Sequence, residues 1–103
     1  MKMLAPPLPA EILREDIFPE LNISEEQAAK ELGISSITMN KLLAGEIGIS
    51  AEIAIRLHLW LGENSPSAES WLNQQANYDL WQAKTTQNFQ SVISHDYTVR
   101  HHL

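Results

Sequence analysis

The chain contains no cysteine. That excludes a disulfide scaffold and any cysteine-based zinc site, and it fits a reducing cytoplasm. Base is scarce: 7 Lys and Arg stand against 13 Asp and Glu, for a net charge of -6. Indiscriminate nucleic-acid binding draws most of its affinity from a basic face, so this balance argues against it. It leaves a local contact surface open. Only four glycines occur, and none forms a glycine-rich phosphate loop. No apolar run approaches the roughly 20 residues needed to span a bilayer. The start, "MKMLAPPLPAE", lacks the long apolar stretch of a signal peptide. No nucleophile stands near a base. The carboxylate pairs Glu11/Glu15 and Glu25/Glu26 fall on exposed helix faces and do not suggest an acid–base site. The expectation is a non-enzymatic protein without metal, cofactor, small-molecule substrate or membrane partner.

What is present is enough for one folded domain. The chain has 103 residues, 44% of them apolar, which suits a modest core. Residues 1–9 carry Pro6, Pro7 and Pro9 and read as an irregular arm. From Ala10 the spacing is helical: Ile12, Leu13 and Ile17 form an apolar stripe, and Pro19 is expected to end the helix or its last turn. Ser24-Glu25-Glu26-Gln27 reads as a capping box for a second helix with Ala28, Ala29 and Leu32 inside, stopped at Gly33. Ser35, with Ser36 as the competing choice, caps a third helix burying Met39, Leu42 and Leu43, and Gly45 stops it. Ser50 caps a fourth with Ile53, Leu57, Trp60 and Leu61. Ser65 or Ser67 caps a fifth, from about Pro66 to Ala83, whose apolar residues are Trp71, Leu72, Ala76 and Leu80, with Tyr78 and Trp81 beside them. The expected class is all-α, with five helices over residues 10–84. Residues 85–103 form a tail, in which Ile93, Tyr97 and Val99 keep a loose period of two that suggests an extended segment or one strand. Its His95, His101 and His102 have poor chelating geometry and imply no metal site.

The stretch "AAKELGISSITMNKLLAGE" at 28–46 has the spacing of a helix-turn-helix. Ala28 and Ala29 permit close helix approach, Gly33 makes the turn, and Ile34 and Met39 lock the angle. The outer face of the second helix then carries Ser35, Ser36, Ile37, Thr38, Asn40 and Lys41. Hydroxyls can bond phosphates or base edges, Ile37 a thymine methyl, and Lys41 a guanine edge or a phosphate. Charge is sorted along the chain. Residues 11–26 hold six acids (Glu11, Glu15, Asp16, Glu20, Glu25, Glu26) and one base, Arg14, whereas residues 34–45 hold Lys41 and no acid.

Three blocks extend this reading: "PAEILREDIFPELNISEEQAAKELGIS", "LLAGEIGISAEIAIRLHLWLG" and "SAESWLNQQANYDLWQA". Together they resemble the HigA/VapI-type antitoxins of the Xre/Cro repressor-like helix-turn-helix family. The pattern W-L-x-x-Q-x-x-Y-D-L is the most specific part, reproduced by Trp71, Leu72, Gln75, Tyr78, Asp79 and Leu80. The resemblance covers about three quarters of the chain and omits the tail. It implies a five-helix, lambda-repressor-like domain that dimerises, represses its own operon and neutralises a HigB-like, ribosome-dependent mRNA endonuclease toxin. It places DNA recognition on Ser36, Ile37, Thr38 and Lys41, with Ser35 as cap and phosphate contact. One position departs from the pattern. Glu25 stands where repressors of this type often hold a Gln that touches the DNA backbone, and a carboxylate there repels phosphate.

The acids Glu11, Glu15, Asp16, Glu20 and Glu26 are candidates for a surface turned toward a basic toxin; a solvated helix face is the plainer reading. Trp71, Tyr78 and Trp81 are candidates for a dimer interface as well as for core. Two alternatives to the antitoxin-repressor stay open: a toxin-binding helical module with weak or no DNA binding, and a phage-type repressor without a toxin.

Overall fold

A computed structural model describes residues 4–97 of the chain. Among them are five helices and no strand. α1 is a continuous run assembled from Pro9–Ile12, Leu13–Ile17 and Phe18–Leu21. α2 is Glu25–Leu32, α3 Ser36–Leu43, α4 Ala51–Leu61 and α5 Ala68–Thr86. No helix of the described residues is long and apolar enough to cross a membrane.

Serines at the expected positions start four of these helices. The hydroxyls of Ser24, Ser35, Ser50 and Ser67 each accept the N–H three residues on. This fills one of the orphan donors that every helix N-terminus leaves. Ser67, rather than Ser65, begins α5, so Pro66 lies just outside the helix and not in its first turn. At the other end of the chain, α1 begins one residue earlier than expected: Pro9 occupies its first turn and is buried. The capping box of α2 is only half formed. Ser24 accepts from Gln27 N–H, but the Gln27 side chain donates forward to Glu31 at 2.9 Å.

α1 departs from the simple stripe read from its sequence. Its middle segment, Leu13–Ile17, is a π-helical turn, with Phe18 N–H bonded to the Leu13 carbonyl. Pro19 has no N–H to offer and its ring crowds the carbonyl four residues back, so a wider turn upstream relieves the helix. The consequence is a change of register. Residues five apart now share a face, and Leu13 and Phe18 are both buried while Ile17 is only half-buried. Pro19 therefore stands inside the last turn, and the helix closes at Asn22, which takes a left-handed conformation (φ 53°).

The core is one cluster drawn from α1–α5: Leu13, Phe18, Ala28, Ala29, Leu32, Met39, Leu42, Leu43, Ile53, Leu57 and Trp71 are all buried. Phe18 meets Trp60 edge-on, with ring centroids 6.1 Å apart. α5 contributes less than its sequence suggested. Only Trp71 and Gln75 are buried in it, and Ala76 and Leu80 are exposed. α5 is 19 residues long and the domain beneath it is short, so its C-terminal half runs past the core. Beyond Thr86, residues 87–97 are exposed and irregular, so the strand suggested around Ile93 and Tyr97 is absent there. Val99, His101 and His102, to which the same reading extended, lie outside the described residues.

Candidate nucleic-acid interface

α2 and α3 form the helix-turn-helix. Gly33 makes the turn at φ 75°, a conformation that glycine adopts freely. Its N–H bonds the Lys30 carbonyl at 3.2 Å and Ile34 N–H bonds the Ala29 carbonyl at 3.0 Å. This is a Schellman closure, which satisfies two of the free carbonyls of α2 and points the chain into α3. A Cβ here would also stand 2.8 Å from Nη1 of Arg56, so that side chain would have to swing aside.

α3 buries Met39, Leu42 and Leu43 and turns the opposite side outward. Ser36, Ile37, Asn40 and Lys41 are exposed, and Ile37 keeps 66% of its surface accessible. A large aliphatic side chain held that far out on an otherwise polar helix gains nothing from the fold, which makes it a contact candidate. Two of the six expected contacts are partly committed elsewhere. Ser35 Oγ accepts Thr38 N–H at 3.0 Å and its hydroxyl donates to Thr38 Oγ1 at 2.9 Å. Thr38 is half-buried. The outward set is thus Ser36, Ile37, Asn40 and Lys41, backed by the Ser35–Thr38 pair.

Glu25 lies at the first position of α2, exposed, and borders a shallow depression of about 340 Å³ with Ser24, Glu26, Ser36, Met39 and Asn40. Two carboxylates therefore flank the N-terminal edge of α3. The other acids, Glu11, Glu15, Asp16 and Glu20, are all exposed on α1. Glu15 lies 3.9 Å from Arg14, a solvent-facing pair of small energetic value.

Three long-range bonds fasten the motif, and none was foreseen from sequence. Arg14 on α1 donates to the Leu43 carbonyl at the end of α3, at 3.0 Å. Arg56 on α4 donates to the Leu32 carbonyl at the end of α2, at 3.0 Å. Gln75 on α5 accepts the N–H of Ile49, in the α3–α4 loop, at 2.9 Å, and donates to Asp79 at 2.9 Å. Gly48 leaves room for it: a Cβ there would stand 2.9 Å from the Gln75 side chain, which would have to shift. A fourth link joins α2 to α4: Glu31 accepts from Gln27 and from Trp60 Nε1, the latter at 3.0 Å. Those hydrogen bonds, Gln27 first and Trp60 second, hold the Glu31 carboxyl below its ordinary range, against a weaker desolvation effect.

The candidate dimer residues separate. Trp71 is 1% exposed and wedged in the core, so it cannot meet a partner and is removed from that set. Its position one turn before Gln75 explains this: both face inward from the part of α5 that lies over the domain. Tyr78 and Trp81 are half-buried, with ring centroids 5.8 Å apart.

Two short helices joined at a left-handed glycine, with an outward face on the second that carries one lysine and no acid, define a helix-turn-helix protein. Comparison with known proteins narrows the class. No family model matches the chain. Virulence-associated protein I of Dichelobacter nodosus is 38% identical over 85 residues, covering 82% of this chain and 76% of that protein. The HigA antitoxin of Pseudomonas aeruginosa, solved with the higBA promoter, is 38% identical over 78% of this chain and 84% of its own, with a TM-score of 0.70. An antidote protein of the HigA family from Coxiella burnetii gives 34% identity, coverage of 80% and 86%, and a TM-score of 0.71. The chain belongs to the HigA/VapI-type antitoxins of the Xre helix-turn-helix family.

Proposed function

We propose that this protein is an antitoxin and autorepressor. As a homodimer it sets two α3 helices in successive major grooves of a palindromic operator, roughly 34–36 Å apart. With the acidic face of α1 it covers a basic, HigB-like mRNA endonuclease encoded beside it. The observation that carries the reading is the outward face of α3: Ser36, Ile37, Asn40 and Lys41 are exposed, free of acid, and rigidly backed by capped ends. The likeness to an antitoxin solved with its promoter supports the DNA half of this assignment. The toxin half is supported by family membership and by the four carboxylates of Glu11, Glu15, Asp16 and Glu20 on one exposed helix.

For dimerisation, the C-terminal half of α5 is the favoured surface. Leu80 is 56% exposed there, beside the half-buried pair of Tyr78 and Trp81.

A second reading is a toxin-binding module whose DNA function has faded. Glu25 and Glu26 beside Ser36 and Asn40 favour it, since phosphate would meet carboxylate at that edge. One gel-shift separates the two, using the DNA just upstream of the gene, with and without the product of the neighbouring small open reading frame. A discrete shift by the chain alone is expected, together with a complex between the two proteins. No shift on that DNA would leave only the module; no complex with the neighbour would leave a repressor without a toxin.

A further inference from the structure

The bond from Arg14 to Leu43 is the only one of the three fastenings that touches the reading helix itself. The last carbonyls of a helix have no partner within it. At the end of α3, the N–H groups of Ala44, Gly45 and Glu46 close onto the carbonyls of Asn40, Leu42 and Lys41. The Leu43 carbonyl is taken by the Arg14 guanidinium, 29 residues away in sequence. A cation at this place also complements the negative end of the helix dipole. Arg14 is well rooted. It lies in the π-helical turn of α1, next to Leu13, which is fully buried. Its side chain is 44% exposed and borders a depression lined by Phe18, Pro19, Ile23, Ser24 and Glu25, between α1 and the start of α2.

We propose that Arg14 is a positioning residue for base readout. It fixes the C-terminal end of α3, and with it the tilt at which Ser36, Ile37, Asn40 and Lys41 meet base edges. The inference rests on the operator-binding reading given above. A helix held only through Met39, Leu42 and Leu43 can roll on that apolar contact. A charge-assisted bond at its end removes the freedom, because it has a direction. Hydrogen bonds to base edges need that registration more than contacts to phosphate do, so losing Arg14 lowers discrimination more than it lowers general affinity.

The experiment titrates the full chain, Arg14→Met and Arg14→Lys against the upstream DNA and a shuffled duplex of equal length. It is run at several salt concentrations, well below each protein's unfolding midpoint. Arg14→Met is expected to lower the operator-to-shuffled affinity ratio about tenfold, the scale of one lost charged hydrogen bond. Its affinity for the shuffled duplex and its salt slope should not change. Arg14→Lys should recover part of the ratio, since an ammonium can still donate to the Leu43 carbonyl. An equal loss on both duplexes, with the salt slope reduced by about one, would make Arg14 a phosphate contact and overturn the inference. A ratio unchanged in Arg14→Met would overturn it as well, leaving the bond a role in stability alone. Failure of the wild-type chain to prefer its upstream DNA defeats the operator reading and this inference together; the other outcomes leave that reading standing.

Discussion

α1 and α3 pack against each other, share one core, and present opposite surfaces. α3 is short, nearly uncharged outside, and fixed at both ends, by Ser35 at the start and Arg14 at the finish. α1 is longer, carries Glu11, Glu15, Asp16 and Glu20 outward, and contains the one π-helical turn among the described residues. The difference shows that net charge is a poor guide to what such a small domain can touch. α1 carries four acids against one base, whereas the outward face of α3 carries one lysine and no acid, with Glu25 and Glu26 only at its N-terminal edge. The potential that a ligand meets is set by the groups within about a Debye length of the contact, and not by the sum over the chain.

Replacing Trp71 by alanine removes the scaffold on which both surfaces depend. It should cost about 3–5 kcal/mol by the usual penalty for emptying an aromatic core site. Denaturant titration would read this, and the expected result is loss of DNA and toxin binding together. A variant that stays stable would show that α5 does not hold the two surfaces in one unit. The comparison itself is tested by reversing charge on α1, in the double variant Glu15→Lys, Asp16→Lys. Toxin affinity should fall about tenfold or more, as expected when like charges are brought face to face, with operator affinity kept or slightly raised. Unchanged toxin affinity in a calorimetric titration would return these acids to the role of a solvated face. On the other helix, Lys41→Ala should either reduce base discrimination by about 1–3 kcal/mol or lower the salt slope by about one with sequence preference intact. Operator binding indistinguishable from the wild type would strike Lys41 from the site.

The smallest effect is expected at Glu31, which joins α2 to α4. Its carboxyl is held below the ordinary range by Gln27 and Trp60. A lowered carboxyl pKa stabilises the fold above the unfolded-state value, and that gain is lost as pH falls through the folded value. The melting temperature of Glu31→Gln should therefore lie below the wild type at neutral pH, and the gap should close as pH drops below about 4.3. A gap independent of pH would mean that the ionised state of the carboxyl adds nothing to these two hydrogen bonds.

Much of the architecture is legible in short stretches of sequence. Ser24, Ser35, Ser50 and Ser67 act within three residues of themselves, and Gly33 and Gly45 satisfy a purely local need for positive φ. Local hydrogen bonding and backbone sterics therefore determine where helices start and stop, and the helix-turn-helix with its outward Ile37 and Lys41 follows from them. The block from Trp71 to Leu80 identifies the family for a physical reason that only the fold reveals: Trp71 fills the core, Gln75 secures the Ile49 N–H, and Asp79 orients Gln75.

Tertiary structure decided the rest. A period of 3.6 cannot anticipate that Leu13 and Phe18 share a face, because the π-helical turn arises from the conflict between Pro19 and its own helix. The length of α5 relative to the core left Leu80 outside and Trp71 inside, although both are apolar residues of one helix. Nothing in the sequence marks Arg14 or Arg56 as structural, and Gln75 stands out only as a letter of the family pattern, with no partner indicated. Their partners are main-chain groups 29, 24 and 26 residues away, which carry no residue-type signature. The positions of α2 and α3 are local choices, but the angle at which they are presented belongs to those distant bonds.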